Sequence, residues 1–169
     1  MAKQEQKKVS RIRTKRKNWY KIIAPNLFGN REIGESYLAS ANDAIGRLMK
    51  ANVRDLTGNV KDQNALAQFR ITGVRDNTLQ TAAVGYEITP SFVKRLVRKN
   101  TARIDDCFTL KTKTGQKVVL KCLMVTRSKV QHSVRTALSK ELRALLETEI
   151  APLDFVNFMS AVVSNRVQS

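Results

Sequence analysis

The chain has 169 residues, 42% of them hydrophobic, which suits one domain of ordinary size with its own core. Its 31 Lys and Arg against 14 Asp and Glu give a formal net charge of +17, a balance that opposes a compact monomer and attracts polyanions. No stretch approaches the roughly 20 apolar residues that span a bilayer, and no secretory signal is predicted. Two cysteines are too few for a disulfide framework or a metal cage. We therefore expect a cytosolic protein with an anionic partner and no membrane association.

The first eighteen residues form a basic arm with eight Lys and Arg, one acid (Glu5) and two large apolar residues, Val9 and Ile12. Such a segment buries too little apolar surface to offset the entropy of ordering it. We predict that residues 1–18 stay disordered until an anion such as RNA phosphate orders them. A solvated tail that only aids solubility is the alternative. The candidate RNA-binding residues of the arm are Lys7, Lys8, Arg11, Arg13, Lys15, Arg16 and Lys17.

Residues 19–129 are predicted to form a β-rich core domain. Trp19 opens its first strand, and we expect this single tryptophan to be buried because large aromatic residues dominate small cores. Apolar and polar residues then alternate over 45–54 and again over 65–72. A period of two is typical of half-buried strands, so both segments are predicted as strands.

Two hairpins are predicted in the same domain. In the first, Arg75-Asp76-Asn77 makes a tight connection from the 65–72 strand into a strand from Thr78 to Ile88. The second joins Ile104–Lys111 to Lys117–Thr126, across a connection in which Gly115 can take a positive φ.

A short helix is predicted between the hairpins, near residues 90–100. Thr89 suits the N-cap, and Pro90 suits the first helical position. Helical spacing places Phe92, Val93, Leu96 and Val97 on one face, and basic residues occupy the rest of the surface. This basic surface either binds phosphate or is only a solvated helix face. Its candidate RNA-binding residues are Lys94, Arg95, Arg98 and Lys99.

Residues 130–169 are predicted to form a C-terminal helical segment packed on the core, with Ala151-Pro152 separating two helices. The first apolar stripe consists of Val134, Leu138, Leu142 and Leu145, and the second of Val156, Met159 and Val163. Together these elements predict an α+β fold, in which an antiparallel, β-barrel-like core carries the short inserted helix and the C-terminal helices.

The residue types that usually carry catalysis are sparse. His132 has no nearby carboxylate in the sequence, so we expect a surface helix residue. Cys107 and Cys122 lack His or acidic companions and are interpreted as small buried strand residues. Asp105 and Asp106, the only acidic doublet, would point to opposite faces of a strand. No catalytic residue, metal ligand, cofactor or small-molecule substrate is therefore predicted, and binding is favoured over catalysis.

The second hairpin adds a further set of basic residues. Odd-numbered residues of one strand share a face, so these side chains can form a positive band that suits an RNA backbone. The candidates are Lys111, Lys113, Lys117 and Lys121, followed by Arg127 and Lys129. Exposed aromatic residues are expected to be too few for a base-stacking surface, which favours contacts to phosphate and shape over base recognition.

Several short blocks follow one another over residues 17–150. They are Trp19-Tyr20, Ala24-Pro25 with Phe28, Ile33-Gly34, Gly46-Arg47, Asp55-Leu56-Thr57-Gly58, Gly85-Tyr86-Glu87-Ile88-Thr89, Leu96-Val97-Arg98-Lys99, Lys111-Thr112-Lys113-Thr114-Gly115 and Thr126-Arg127. Taken in this order, the blocks resemble the archaeal and eukaryotic small-subunit ribosomal protein family eS-one, also called S-three-A.

The resemblance implies a structural component of the small ribosomal subunit, bound to small-subunit rRNA on the platform near the mRNA exit. It also implies S-eleven, and in many organisms S-twenty-six, as neighbouring proteins, and a β-barrel-like core with flanking helices. Members of the family usually continue past Ser169 with another helix and a basic, valine-rich strand. Contacts made by that part of the family are therefore not carried over to this chain.

Three functions follow from these observations, in decreasing order of support. The first is a structural ribosomal protein of the cytoplasmic small subunit. The second is a free-standing RNA-binding translation factor that uses the same basic faces reversibly. The third is an RNA-processing enzyme in which Asp55, Asp105 and Asp106 converge in space.

Overall fold

The computed structural model describes residues 15–167, which form seven strands, four helices and three short 3-10 turns. The strands are β1 (Asn18–Ile23), β2 (Glu32–Leu38), β3 (Leu48–Asn52), β4 (Ala65–Arg75), β5 (Thr78–Ile88), β6 (Arg103–Lys111) and β7 (Lys117–Val125). The helices are α1 (Val53–Thr57), α2 (Pro90–Leu96), α3 (His132–Ile150) and α4 (Phe155–Val163), and the 3-10 turns are Asn26–Phe28, Ala41–Ala44 and Val60–Asn64. The predicted α+β class is confirmed.

The first five strands form one sheet in the order β2-β1-β5-β4-β3. Its neighbours are antiparallel except β1 and β5, which run parallel and pair Lys21 with Thr78. The sheet is therefore mixed. Leu38 on edge strand β2 and Met49 on edge strand β3 pack into the same apolar cluster as Leu79 of the central strand β5. Because residues of both edge strands join one apolar cluster with the central strand, the sheet curls around a shared core.

In the central hairpin β5 has the predicted bounds, whereas β4 continues three residues beyond the predicted end at residue 72. β4 ends at Arg75, β5 begins at Thr78, and those two residues pair across the turn. The two turn residues, Asp76 and Asn77, have φ of 47° and 64°. Positive φ at both central positions is the mark of a type I′ turn, whose twist matches that of the strands it joins. Asp and Asn tolerate this conformation better than other residues with a side chain.

β1 shows that the prediction of a buried Trp19 is wrong. Successive strand residues point to opposite faces of a sheet. Tyr20 and Ile22 are buried in the core, so Trp19 is directed outwards and its side chain is 64% exposed. The alternation of Tyr20, Ile22 and Ala24, all buried, decides the orientation.

β6 and β7 form a separate two-stranded sheet, and only one of its two faces packs against the rest of the protein. Phe108 and Leu110 on its inner face pack against Leu146, Ile150 and Phe158 of α3 and α4. A two-stranded sheet is marginal by itself in water, so this packing is what stabilises the hairpin. The outer face, opposite to the helices, stays open to solvent.

The cysteines lie on opposite faces of this hairpin, because Cys107 pairs with Lys121 whereas Cys122 pairs with Asp106. Cys107 is exposed, so its predicted burial is wrong. Cys122 is partly buried against the cluster formed with the helices.

α3 buries a different stripe from the one predicted. Leu146 and Ile150 are in the core, with Leu142 partly buried beside them, whereas Leu145 is 65% exposed. Adjacent helix residues are about 100° apart, and Leu145 lies that far from the centre of the narrow face formed by Leu142, Leu146 and Ile150. α4 contributes Phe158 and Met159 to the interior.

Candidate nucleic-acid interface

The basic arm meets the folded part of the protein at β1. Lys7, Lys8, Arg11 and Arg13, together with the predicted disorder of the arm, lie outside the described residues. Lys15, Arg16 and Lys17 immediately precede β1 and are exposed. Lys17 has a fixed neighbour, since its Nζ lies 5.6 Å from the ring centroid of Tyr37 on β2. The arm is thus anchored beside an aromatic side chain.

Four exposed cations lie on α2 and just after it, and we call them the α2 surface. Lys94 and Arg95 belong to the helix, whereas Arg98 and Lys99 follow its last residue, Leu96, because the helix is shorter than predicted. Arg95 Nη2 donates a hydrogen bond to Asn64 Oδ1 at 3.0 Å, and its guanidinium lies 5.6 Å from the Phe92 ring. Arg98 Nε donates to the carbonyl oxygen of Arg95 at 3.4 Å. Hydrogen bonding and ring contact hold Arg95 in place while leaving its positive charge uncompensated. Thr89 precedes the helix without a side-chain capping bond, and Pro90 occupies its first turn.

Three of the four hairpin lysines, Lys111, Lys117 and Lys121, share one face, as their spacing predicts. Lys111 pairs directly with Lys117, and Lys121 pairs with Cys107 on the same outward side. Lys113 lies in the connecting turn, where its backbone N–H donates to the Leu153 carbonyl oxygen at 3.2 Å. Gly115, with φ of 78°, closes this turn.

At the other end of β7, Arg127 and Lys129 are exposed in the connection to α3. Strand residues rise about 3.4 Å each, so Lys117 and Lys121 lie about 14 Å apart along β7, and Arg127 and Lys129 follow after the end of the strand.

The acidic side chains neutralise other basic residues. The ion pairs among residues 15–167 involve Lys21 with Glu32, Lys50 with Glu87, Arg75 with Asp76, Arg103 with Asp105, and Arg143 with Glu147. Thirteen predicted RNA-binding residues lie in the same range, and none of them joins an ion pair there. They are Lys15, Arg16, Lys17, Lys94, Arg95, Arg98, Lys99, Lys111, Lys113, Lys117, Lys121, Arg127 and Lys129. Cations without acidic partners remain available to phosphate.

Glu87 near the end of β5 connects the two sheets electrostatically. Its pKa is lowered chiefly by the hydrogen bond from Lys50, whose Nζ is 2.6 Å from Glu87 Oε2, and next by the bond from Gln68. The positive charge of Lys121 lowers the Glu87 pKa further. The outer face of β7 therefore lies close enough to β5 for its field to reach the first sheet.

The acids of the enzyme hypothesis do not form one site. Asp55 lies on α1, which contacts β3 and β4, whereas Asp105 and Asp106 lie on β6. Asp106 and His132 border a cavity of about 240 Å³ between β6 and α3, and Asp105 pairs with Arg103. Within residues 15–167 no three His, Cys, Asp or Glu side chains come together as a metal site. The same residues include no helix long and apolar enough to cross a membrane.

An exposed aromatic pair is the feature that the sequence interpretation missed. Trp19 on β1 and Tyr37 on β2 occupy paired positions, with ring centroids 4.9 Å apart and ring planes at 37°. Tyr37 is 51% exposed. The signal was present in the alternation of Tyr20 and Ile22, which directs Trp19 outwards. The sequence interpretation expected few exposed aromatic residues, and the structure exposes these two side by side.

Comparison with known proteins gives a consistent result along almost the whole chain. Residues 4–169 match the family model described as the Ribosomal S3Ae family. Small ribosomal subunit protein eS1 of Methanothrix thermoacetophila is 29% identical over 167 residues, which cover 99% of this chain and 78% of that protein. The protein of the same name from Thermoplasma acidophilum is 27% identical over 165 residues, covering 98% of this chain and 77% of the relative.

A third relative, small ribosomal subunit protein eS1 of Saccharolobus islandicus, is 30% identical over 153 residues. That alignment covers 90% of this chain and 74% of the relative. The family resemblance inferred from the short sequence blocks is confirmed: the chain belongs to the Ribosomal S3Ae family.

Proposed function

We propose that this protein is a structural constituent of the small ribosomal subunit that binds rRNA mainly through phosphate and shape contacts. Membership of a ribosomal protein family supports the first part of the proposal. The observation that carries the second part is the set of thirteen exposed cations without a described acidic partner. They lie in three places: the end of the arm, the α2 surface, and the outer face of the β6–β7 hairpin with the connection after β7.

We infer that the three basic surfaces act together on the RNA backbone. Each phosphate neutralised by Lys or Arg releases condensed counterions, so many modest contacts add up to strong, salt-dependent binding. Lysine is a flexible point charge, and most of the candidate cations on the hairpin and in the connection after it are lysines. Such a surface follows the path of phosphates without selecting a base sequence.

The family resemblance supports a finer location as part of the same proposal. The protein would lie on the platform of the small subunit, near the mRNA exit, in the cytoplasm. S-eleven and, where present, S-twenty-six would be its protein neighbours, and mRNA would pass close by. Cross-linking of the assembled subunit tests these neighbours directly.

Sedimentation separates a ribosomal constituent from a free-standing RNA-binding factor. The full chain, carrying an affinity tag, is expressed in cells, and extracts are run on sucrose gradients containing high salt. We expect the protein to remain in the small-subunit peak at one copy per particle. A protein that washes off to the top of the gradient would support the translation-factor alternative and contradict the proposal.

The phosphate mechanism is tested by removing the α2 charges together. Changing Lys94, Arg95, Arg98 and Lys99 to Gln removes four cations, while Phe92 and Val93, which are partly buried, continue to hold the helix. If the surface contacts phosphate, the slope of log affinity against log salt should fall by two or more units, at under about one unit per contact. The loss should be similar for every rRNA fragment.

A matched control removes the same charge elsewhere. Changing Lys21, Lys50, Arg75 and Arg143 to Gln also removes four cations, but each of these has an acidic partner. We expect this control to change the salt slope by less than about one unit. Equal effects of the two variants would mean that net charge alone governs binding. An α2 effect confined to one RNA sequence would indicate base recognition.

A further inference from the structure

We propose that the Trp19–Tyr37 pair is a stacking site for an unpaired RNA base, with the phosphate of that nucleotide held by Lys15, Arg16 and Lys17. The inference rests on the proposed function and deepens it, because it assigns base contact to one position of a surface that otherwise binds backbone. It concerns single-stranded RNA, since a base within a duplex has no free face to stack.

The two rings form a rigid, solvent-facing surface. They lie on paired positions of adjacent strands, 4.9 Å between centroids, and are 64% and 51% exposed for Trp19 and Tyr37. β1 pairs with β2 at Trp19 and with β5 from Lys21 onwards, and the neighbouring Tyr20 and Ile22 are anchored in the core. An aromatic side chain fixed in this way loses little conformational freedom when a ligand binds to it.

The two rings have different roles. Lys17 Nζ lies over the Tyr37 ring at 5.6 Å from its centroid, so Tyr37 is already in contact with a cation. Trp19, the more exposed ring, has Tyr37 as its ring partner in the described part of the chain. Trp19 therefore offers the stacking face, and Tyr37 orients Trp19 while positioning the Lys17 ammonium beside the site.

Charge around the pair gives the nucleotide a direction. The exposed cations Lys15, Arg16 and Lys17 lie on the N-terminal side of Trp19. On the other side, Glu35 of β2 lies opposite Lys21 of β1 in the strand register. The Lys21 ammonium forms its ion pair with Glu32, at 3.1 Å, so this side carries more negative than positive charge. Phosphate is attracted to the first side and repelled from the second. The backbone of the bound RNA should thus run along the arm rather than along β2.

The same charges favour RNA over an apolar protein partner. At this site the exposed apolar surface consists of the two rings, and cations border it. An aromatic ring beside Lys or Arg can stack on a base while the cation binds the phosphate of the same nucleotide. The opposite possibility, that a neighbouring protein covers the rings, is one of the outcomes of the test below.

Trp19 provides its own readout because it is the single tryptophan of the chain. The full-length protein is titrated with a short single-stranded oligonucleotide and, separately, with an abasic oligonucleotide of the same length and charge. We expect the first to quench Trp19 fluorescence and to bind roughly tenfold or more tightly than the second, in line with the contribution of one stacked base.

Variants locate the effect, with affinity measured by the anisotropy of a labelled oligonucleotide. Trp19→Ala should lose about tenfold or more for the base-containing oligonucleotide and leave abasic binding unchanged. Trp19→Phe should retain most of the affinity, because it keeps an aromatic face. Tyr37→Ala provides a second, independent disruption of the pair. Leu145→Ala is the matched control, since Leu145 is 65% exposed and belongs to α3 rather than to the sheet that carries Trp19.

The outcomes distinguish failure of this inference from failure of the proposed function. If base-containing and abasic oligonucleotides bind wild-type protein equally, the pair does not stack a base, although phosphate binding and sedimentation with the small subunit would still stand. If Trp19→Ala leaves RNA affinity unchanged but releases a protein neighbour, the pair is a protein contact and the inference is wrong. If wild-type protein binds neither oligonucleotide and leaves the small subunit in high salt, the proposed function fails as well.

Discussion

Shortening Leu146 to alanine should destabilise the protein by about 3 kcal/mol. Leu146 is 7% exposed and packs with Leu110, Ile150 and Phe158 between the β6–β7 hairpin and the helices. Loss of three buried carbon atoms at about 0.8 kcal/mol each accounts for roughly 2.4 kcal/mol, and the residual cavity adds about 24 cal/mol per Å³. The hairpin is covered on one face only and can move to fill part of that cavity, which keeps the second contribution small.

Leu145→Ala is the control, because it is the same chemical change at the next residue of the same helix. Leu145 is 65% exposed, so its variant should stay within about 0.5 kcal/mol of wild type. Urea unfolding followed by far-UV circular dichroism measures both variants. For a chain of this size the Leu146 variant should also melt on the order of 6–12 °C lower.

The comparison has a clear failing result. Equal destabilisation by Leu145→Ala and Leu146→Ala, or a larger effect at Leu145, would mean that α3 buries the stripe suggested by its sequence rather than the one described here. Trp19 fluorescence, recorded in the same experiment, reports on the first sheet. If its midpoint stays at the wild-type urea concentration while the circular dichroism midpoint of the Leu146 variant falls, the C-terminal segment unfolds separately from residues 19–129.

Three further predictions use other parts of the molecule. Asn77→Gly should stabilise the protein by up to about 1 kcal/mol, since φ at Asn77 is 64° and glycine adopts this conformation without steric cost; an unchanged or lower urea midpoint would contradict the turn geometry. Maleimide should label exposed Cys107 before Cys122, because burial raises the pKa of the Cys122 thiol and leaves less thiolate. The charges of Asp106 and Cys107 add to this pKa shift. Mass spectrometry of each Cys→Ser variant identifies the labelled site, and faster labelling of Cys122 would refute the prediction. Glu87→Gln should lower the urea midpoint at pH 7, because a carboxyl group with a lowered pKa stabilises the fold while it is charged. Below the folded-state pKa of Glu87 the variant and the wild type should unfold at the same urea concentration. A difference between their midpoints that persists in acid would contradict this explanation.

Both hairpins were predictable because their information is local. β5 runs from Thr78 to Ile88 as its alternating pattern predicts, and Asp76 and Asn77 are residues that suit a type I′ turn. The β6–β7 connection likewise contains Gly115 at positive φ. In each case the strands are adjacent in sequence, so the turn residues fix the pairing next to the turn, although β4 and β5 shift register twice farther along, between Gln68 and Phe69 and between Ile71 and Gly73.

Two of the parts that were missed depend on distant residues, whereas the orientation of Trp19 has a local cause. Leu145 and Leu146 both fit a helical stripe, and only packing against β6 and β7 selects Leu146. The size of Trp19 suggested burial, but Tyr20 and Ile22 occupy the core side of β1 and the strand period leaves Trp19 outside. The parallel pairing of β1 with β5 has no local signal, because nothing near either strand specifies a partner so far along the chain.

The candidate interface also combines features that are visible in the sequence with features that depend on the fold. Basic residues are recognisable from the sequence, and their exposure follows from the high cost of burying unpaired charge. Which cations are neutralised is not recognisable, because an ion pair such as Lys50 with Glu87 joins residues 37 positions apart. Only the folded arrangement separates the cations that have acidic partners from those that do not.

The parallel pairing of β1 with β5 also sets the order in which the molecule can be completed. The hydroxyl of Thr81 donates to the carbonyl oxygen of Ile23, 58 positions earlier, at 2.7 Å. During synthesis β1 therefore emerges long before β5, whereas β4 and β5 can pair as soon as both are made. Contacts between such distant segments form slowly because a long loop must close first. We expect β1, together with its local partner β2, to dock on β5 after β4 and β5 have paired, so that the basic arm, although translated first, acquires a fixed base only when the central hairpin is in place.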